Sequence, residues 1–315
     1  MIHILITLVL FATQLIYFRI ANHYNIIDKP NERSSHSNIT LRGGGVIFYI
    51  GMLLYFILFG FQYPLFFCGL TLISIISFAD DVKPQSFKLR LLIHFISMIF
   101  MFMQWNLFDL PWYFTLIALI ICTGILNAYN FMDGINGITG GYSLVIAGVF
   151  YYINSFQVTF VDTQLISILI LTLLVFNFFN FRIKARCFAG DVGAISMAFI
   201  LIFLLGKLII KTGDFSYIIL FALYGVDSIL TIIHRLLLKE NIFEAHRKHL
   251  FQILANELKI SHLLVSGLYM ILQILIVVGL MAVANKYIYS AIIIILLSII
   301  YVIVKRKYFH LHQNK

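Results

Sequence analysis

The sequence predicts an all-α, polytopic membrane helix bundle of about 10–11 transmembrane helices with its N-terminus outside. Of its 315 residues, 62% are hydrophobic and only 11% are charged, and the mean hydropathy is +0.99. This leaves too little polar surface to cover a soluble globule. Apolar runs of about 17–22 residues recur along the chain, long enough to cross a hydrocarbon core about 30 Å thick as helices. We expect residues 1–315 to form one integral membrane domain.

The apolar runs define the predicted spans. The first run has no basic residue before it and carries Arg19 at its far end, so it is predicted to be a retained span and not a signal peptide. The alternation over about ten residues that membrane strands require does not occur in the sequence. In chain order the predicted spans cover residues 3–22, 44–61, 63–81, 89–107, 111–130, 138–155, 160–180, 193–211, 215–234, 262–282 and 287–304.

Basic residues set the predicted orientation. Of the 22 Lys and Arg residues, 19 fall on one side of this topology, and three, Lys207, Lys211 and Lys286, belong to the other. The positive-inside rule places the first side in the cytoplasm. The pI of 9.4 is thereby explained without a nucleic-acid partner. Three scattered cysteines show neither metal nor disulfide spacing.

A polar stretch at residues 127–141 interrupts two long apolar runs. If the helix from Trp112 continues through Asp133, then Asn127, Asn130 and Asp133 recur every three residues and share one side of it. Four glycines would then let the backbone turn tightly and approach a nucleotide or phosphate: Gly134, Gly137, Gly140 and Gly141. The alternative is an ordinary turn between two membrane helices.

Acidic residues cluster on the predicted cytoplasmic face, which holds ten of the thirteen. A carboxylate at the end of a long apolar run is costly unless it is paired, metal-bound or facing water. Lys207 is the only charge that this topology places well inside a span. Four carboxylates end long apolar runs: Asp80, Asp81, Asp133 and Asp191.

Two of these sites have competing interpretations. Asp80 and Asp81 either form a solvated pair that ends a helix or need a cation to remain ionised together. Lys88 and Arg90 follow them and could serve an anionic head group or anchor the chain at the interface. Asp191, between two glycines, is either the N-cap of the next helix or a Mg²⁺ ligand.

Two loops complete the predicted cytoplasmic face. Residues 28–45 form a basic, turn-rich connection that ends in three glycines. Residues 244–252 are predicted to be helical, which would put His246 and His249 one turn apart, with room for a diphosphate between the imidazoles and the Arg247 guanidinium. A zinc pair is the weaker alternative, because no third ligand has suitable spacing.

In this order the motifs resemble the polyprenyl-phosphate N-acetylhexosamine-1-phosphate transferases, the glycosyltransferase family 4 enzymes. The resemblance spans residues 28–252 and consists of five motifs on one membrane face. They are Asp-x-Pro-x-x-Arg-x-x-His followed by Arg-Gly-Gly, then Asp-Asp, then Asn-x-x-Asn-x-x-Asp-Gly-x-x-Gly, then Gly-Asp-x-Gly, and finally His-Arg-x-His. The last motif looks closer to the O-antigen branch of lipopolysaccharide synthesis and disfavours the peptidoglycan pentapeptide substrate.

The resemblance implies a Mg²⁺-dependent, or Mn²⁺-dependent, transfer of N-acetylhexosamine-1-phosphate from a UDP-sugar to undecaprenyl phosphate. It implies an active site on the cytoplasmic face of the bacterial inner membrane, embedded in the lipid bilayer, and leaves open a homodimer. Asp191 and Asn130 match the metal ligands. The residues that match catalytic positions are Asp80, Asp81, Asp191, His246 and His249. Those that match substrate-binding positions are Arg33, His36, Arg42, Lys88, Arg90, Asn127, Asn130, Asp133, Asn136 and Arg247.

Two other classes of protein remain as alternatives. An intramembrane prenyltransferase would need a second acidic motif of Asp-x-x-x-Asp spacing, and neither Asp133 nor Asp191 has such a neighbour. A transporter would usually carry charges near the bilayer midplane or an internal repeat. The residues favour the transferase over both.

Overall fold

A computed structural model describes residues 1–30, 39–242 and 246–308. It confirms the predicted helix bundle, because each predicted span corresponds to a helix. The helices are α1 (Ile2–His23), α2 (Val46–Leu58), α3 (Pro64–Val82), α4 (Phe87–Gln104), α5 (Trp112–Met132), α6 (Ile138–Phe156), α7 (Thr163–Asn180), α8 (Gly190–Thr212), α9 (Ala222–Leu237), the short α10 (Leu250–Gln252), α11 (His262–Ala282) and α12 (Lys286–Tyr308).

By length and composition, nine of the helices within these ranges can cross a membrane, one of them formed by α9 with the 3₁₀ segment Phe215–Phe221 before it. The chain is therefore a multi-pass membrane protein. The other two predicted spans are α2, which has only 13 residues, and α6, whose first turns are rich in glycine and polar residues. Two further short segments are a 3₁₀ turn at Leu107–Asp109 and a π-helical turn at Ile253–Glu257.

Helix α8 is the core of the bundle. Every residue from Ala194 to Leu205 is buried, since α8 is apolar on all sides and packs against α2, α3, α5 and α6. α3 runs antiparallel to it, so that Asp81 at the end of α3 meets the start of α8 while Tyr63, just before α3, contacts Phe203. Among the nine spanning helices of the described residues, α12 is the least buried. Of its most apolar 18-residue stretch 6% is buried, against 78% for α8.

Interlocking glycine segments join the loop before α2 to the loop before α8. The amide of Gly44 donates to the carbonyl of Phe188 (2.8 Å), and that of Gly45 donates to the carbonyl of Ala189 (3.0 Å). A Cβ on Gly45 would lie 2.2 Å from Cα of Gly193, so only glycine permits this approach. The contact brings Arg42 to the first turn of α8.

The structure corrects three details of the sequence prediction. A two-stranded antiparallel sheet, β1 (Ile27–Asp28) with β2 (Thr40–Leu41), accompanies the helices. Residues 246–249 are not helical, because His249 is the N-cap at which the helical turn Leu250–Gln252 begins. Asp227 lies inside α9, so Lys207 is not the only charge within a predicted span.

Candidate active site

Asp81, at the end of the neighbouring helix α3, caps the central helix α8. Its carboxylate accepts hydrogen bonds from the amides of Asp191 (2.9 Å) and Val192 (3.0 Å), two of the donors that a helix N-terminus leaves unsatisfied. Its side chain is fully buried. The N-cap interpretation of Asp191 is therefore wrong: the N-cap position is Ala189, no side chain from it caps the helix, and Asp81 supplies the carboxylate.

Two arginines connect the three carboxylates. Arg42 donates from Nε to Asp81 (2.6 Å) and from Nη2 to Asp191 (3.1 Å). Arg90 donates to Asp80 (2.8 Å) and lies 3.8 Å from Asp191. Asp80, which also accepts from a backbone amide, is 9% exposed, so Asp80 and Asp81 are not a solvated pair. The Nη1 atom of Arg90 thus faces the carboxyl groups of both Asp80 and Asp191.

A polar cavity of about 190 Å³ opens beside this cluster. It collects side chains from segments far apart in the chain: the β1–β2 region, the end of α5, the loop before α6, and the loop before α8. Its lining consists of Asp28, Arg42, Asn130, Asp133, Gly134, Ile135, Asn136, Asn180, Phe188, Gly190, Asp191 and His262.

The predicted polar stretch contributes its later members to the cavity. Asn130 lies on α5, and Asp133 follows the end of α5 and accepts from the Thr139 hydroxyl (2.7 Å). Burial raises the pKa of Asp133 to about 6, although that hydrogen bond opposes the shift. Asn127 is exposed, does not line the cavity, and donates to the carbonyl of Thr123 in its own helix.

Asn136 and Asn180 form the cavity wall on the side of α6. The side-chain amide of Asn136 donates to the backbone carbonyls of Arg182 (2.8 Å) and Ile183 (3.1 Å). Asn180 accepts from the amide of Gly137 (2.8 Å), whose positive φ of 84° is the conformation that glycine permits. These bonds fix the glycine-rich turn against the loop that leads to α8.

The two predicted histidines border the cavity without lining it. Their ring centroids are 5.0 Å apart, and that of His249 lies 6.0 Å from the ring of Phe131, the residue after Asn130. His249 is buried, with Nδ1 3.2 Å from Oδ1 of Asp227. Burial, His249 and nearby cationic side chains lower the pKa of His246 to about 3. The rings are neighbours although the predicted helical spacing is wrong.

The remaining predicted residues lie elsewhere. Lys88 is exposed, and the Arg247 guanidinium pairs with Glu257 (3.1 Å). Arg33 and His36 lie outside the described residues.

The donor set of the cavity is chemically suited to a hard cation. Asp191 offers a carboxylate and Asn130 an amide oxygen, the ligand types that Mg²⁺ prefers. Within the described residues no three His, Cys, Asp or Glu side chains are grouped closely enough to hold a metal by themselves. A cation here would therefore need substrate oxygens or water as further ligands, as Mg²⁺ commonly does.

Sequence reasoning missed four residues of this region: Asp28, Asn180, His262 and Asp227. Asp28 begins the basic loop of residues 28–45, but no local pattern indicated that its side chain reaches the cavity. Asn180 and His262 occur at the boundaries of apolar runs, as do many polar residues that line nothing. Asp227 carried a usable signal, because an acidic residue within an apolar run of membrane length needs a partner.

Fold and site together define an integral membrane protein with an acidic and basic polar cavity at one end of its helix bundle. A family model described as "Glycosyl transferase family 4" matches residues 63–209, which contain Asp80, Asp81, the polar stretch and Asp191. The match covers 147 of the 315 residues, and this part of the chain is similar to the family. The similarity favours a transferase over the prenyltransferase and transporter alternatives.

Individual relatives support the same placement. The chain is 26% identical over 253 residues to the Bacillus subtilis (strain 168) "Probable undecaprenyl-phosphate N-acetylglucosaminyl 1-phosphate transferase", covering 74% of this chain and 70% of the relative. It is 25% identical over 224 residues to the Escherichia coli (strain K12) "Undecaprenyl-phosphate alpha-N-acetylglucosaminyl 1-phosphate transferase", covering 64% and 60%. Over 257 residues it is 23% identical to the Thermotoga maritima protein of the same name, covering 76% of each. The E. coli match thus spans less than two thirds of that relative.

Proposed function

We propose that the protein transfers N-acetylhexosamine-1-phosphate from a UDP-sugar to undecaprenyl phosphate at the cytoplasmic face of a bacterial inner membrane, which initiates synthesis of a cell-surface glycan. The observation that carries the proposal is the convergence of Arg42, Asn130, Asp133 and Asp191 on one polar cavity at the end of a membrane bundle. The names of the relatives supply the acceptor, undecaprenyl phosphate, and the transferred group, N-acetylglucosamine 1-phosphate. The UDP-sugar donor is what the motif resemblance implies.

The proposed reaction exchanges one phosphorus–oxygen bond for another. An oxygen of the undecaprenyl phosphate attacks the β-phosphorus of the UDP-sugar. The bond from the β-phosphorus to the bridging oxygen breaks, and UMP leaves with that oxygen and the bonding electron pair. No redox partner or net proton source is required. Because two anions must approach each other, the main task of the protein is to neutralise and position them.

Asp191 and Asn130 would hold Mg²⁺, which supplies Lewis-acid neutralisation of diphosphate oxygens when bound. Arg42 and Arg90 already neutralise the carboxylates of the cluster, and their guanidinium groups match phosphate geometry. An incoming diphosphate would compete with Asp191 for these arginines and free its carboxylate for the metal.

Asp80 and Asp81 have different proposed roles. Both oxygens of Asp81 are occupied by the α8 amides and Arg42, so we assign it to positioning the first turn of α8. Asp80 pairs with Arg90 and lies next to Asp191, which fits a place near the acceptor phosphate. A general base is not required, since a phosphate monoester is mostly ionised near pH 7 with a second pKa of about 6.

The test is release of UMP by the purified protein. It is incubated with undecaprenyl phosphate, Mg²⁺ and, in turn, UDP-N-acetylglucosamine, UDP-N-acetylgalactosamine and UDP-glucose as the sugar control. We expect UMP with at least one N-acetylhexosamine donor, dependence on the lipid, and loss of activity in EDTA that added Mg²⁺ or Mn²⁺ restores. Absence of UMP with every donor, from protein that is folded and reconstituted, would contradict the proposal.

A further inference from the structure

Asp227 is a buried carboxylate within the apolar helix α9, 3% exposed and surrounded by donors. It accepts from the hydroxyl groups of Tyr269 (3.0 Å) and Thr231 (3.3 Å), and from the amide of Leu250 (3.0 and 3.1 Å to its two oxygens). The Nδ1 atom of His249 lies 3.2 Å from Oδ1. A carboxylate with this many donors is ionised, because each bond favours the charged form.

This arrangement fixes which nitrogen of His249 carries hydrogen. An ionised carboxylate only accepts, so Nδ1 must be the donor to Asp227. The amide of His249 also donates to the Gln252 side chain (3.2 Å), which holds its backbone at the start of α10. Ring and backbone of His249 are thus both fixed.

The other ring nitrogen, Nε2, is buried and has no hydrogen-bond partner among the described residues. His249 itself is only 2% exposed, and an unpaired buried nitrogen is costly. The ring neighbours Phe131, which follows the cavity residue Asn130, and Phe251, which would contact a Cβ on the cavity residue Gly134 at 3.0 Å. The ring of His249 therefore lies next to the cavity wall.

We propose that Asp227 is a positioning residue that holds His249 in the form with hydrogen on Nδ1 and leaves Nε2, an acceptor in that form, to meet a hydroxyl or N–H donor of the substrate. This inference rests on the proposed transferase function. It assigns a role to Asp227, which lies outside residues 63–209, the range that the family model matches.

Helix α12 supports the pair from outside. The hydroxyl of Tyr301 lies 2.8 Å from that of Thr231, which donates to Asp227. The ammonium group of Lys305 donates to the carbonyl of Lys248, the residue before His249. Helix α12 thus contacts Thr231, which bonds to Asp227, and Lys248, which precedes His249.

The test is a double-mutant cycle on kcat. Asp227→Asn removes the charge, and His249→Asn keeps an N–H group near the place of Nδ1 while removing Nε2. We expect each single variant to lower kcat at least about tenfold with a smaller change in KM, because the contact matters most in the transition state. If Asp227 acts through His249, the double variant should lose no more than about twofold beyond His249→Asn alone.

Asp162→Asn is the matched control, because Asp162 also caps a helix, through the Gln164 amide (3.0 Å), and accepts from a tyrosine, Tyr55 (3.0 Å). It lies at the opposite end of the bundle, so we expect near-normal kcat. Additive losses in the double variant, or an equal loss in Asp162→Asn, would overturn the proposal.

A spectroscopic measurement separates this inference from the proposed function. In ¹⁵N-histidine-labelled protein in lipid bilayers, the resonances that disappear in His249→Asn identify its ring. We expect hydrogen on Nδ1 in the unchanged protein and a different protonation pattern in Asp227→Asn. Hydrogen on Nε2 alone would overturn the inference even in an active enzyme. Absence of UMP with hydrogen on Nδ1 would instead contradict only the reaction.

Discussion

The two ends of the bundle use carboxylates differently. At the end opposite the cavity, Asp162 caps α7 and Asp214 accepts from the Ser216 amide (2.9 Å) and the Lys286 ammonium group (3.0 Å). Each carboxylate there has its own set of donors. At the cavity end three carboxylates share two arginines, and Asp80 and Asp191 are held close together.

The difference indicates which cluster serves folding and which serves chemistry. A helix cap needs one carboxylate, and Asp81 alone provides the cap of α8. Placing two further carboxylates next to it adds repulsion that no structural requirement explains. Such strain is expected where a cation or anionic substrate will be bound. Substitution of the cavity carboxylates should therefore lower turnover, whereas substitution of carboxylates at the opposite end should leave it nearly unchanged.

The largest expected difference is in turnover. Asp191→Asn should lower UMP release at least about 100-fold while the protein remains folded, because the carboxylate proposed to bind the metal is lost without a change in shape. Asp162→Asn, which retains the capacity to cap, should keep near-normal turnover. Initial rates at saturating substrates check both, and comparable rates for the two variants would contradict the assignment.

The next effect is on stability. Gly45→Ala should destabilise the protein by about 1–3 kcal/mol, since the new Cβ would overlap Gly193 and force the two glycine segments apart. Gly148→Ala in α6 is the control, because its Cβ meets no atom within 4 Å. Apparent melting temperatures in detergent should fall for the first variant only. An unchanged melting temperature for Gly45→Ala would refute the close approach.

A smaller effect is expected for the guanidinium group of Arg42, which bonds to both Asp81 and Asp191. Arg42→Lys keeps the charge but replaces two separately placed donors, Nε toward Asp81 and Nη2 toward Asp191, by one ammonium group, so kcat/KM should fall about tenfold. Arg182→Lys is the control, since that guanidinium stacks 4.6 Å from the Phe178 ring. Equal activity of the two variants would remove Arg42 from the site.

The helices could be predicted because apolar runs are a local property of the sequence. Their boundaries followed to within a few residues, and the motif order pointed to the same family whose model matches residues 63–209. The family resemblance paired Asp191 with Asn130 as metal ligands, and both line the cavity. Their role as metal ligands stays a prediction.

Tertiary contacts account for what could not be predicted. Asp81 caps a helix that begins over a hundred residues later, and nothing near either residue signals the pairing. Likewise, Asn180 and His262 reach the cavity only because α7 and α11 pack against α6. Helical periodicity misplaced Asn127, which faces outward while Asn130 lines the cavity. The histidine segment failed as a helix because a cap at His249 starts the helix there.

The smallest expected effect concerns pH, and the two ends should respond with opposite signs. Burial raises the pKa of Asp133 to about 6, above the value of about 3.9 in an unfolded chain. Between these values the folded protein binds more protons, so this group makes stability fall as pH rises. Asp133→Asn removes the cost of ionising a buried carboxylate. The melting temperature of the variant minus that of the unchanged protein should become more positive as the pH rises from 4.5 to 7.5.

Asp214 at the opposite end should behave in reverse. Burial opposes its ionisation, but the bonds from Ser216 and Lys286 outweigh burial and lower its pKa. The ionised group therefore stabilises the fold above the unfolded pKa, and this contribution disappears as pH falls through the folded value. Asp214→Asn should lower the melting temperature at pH 7.5 and have little effect at the lowest pH tolerated. If both variants shifted in the same direction with pH, the contrast between a strained cavity carboxylate and a satisfied structural one would be wrong.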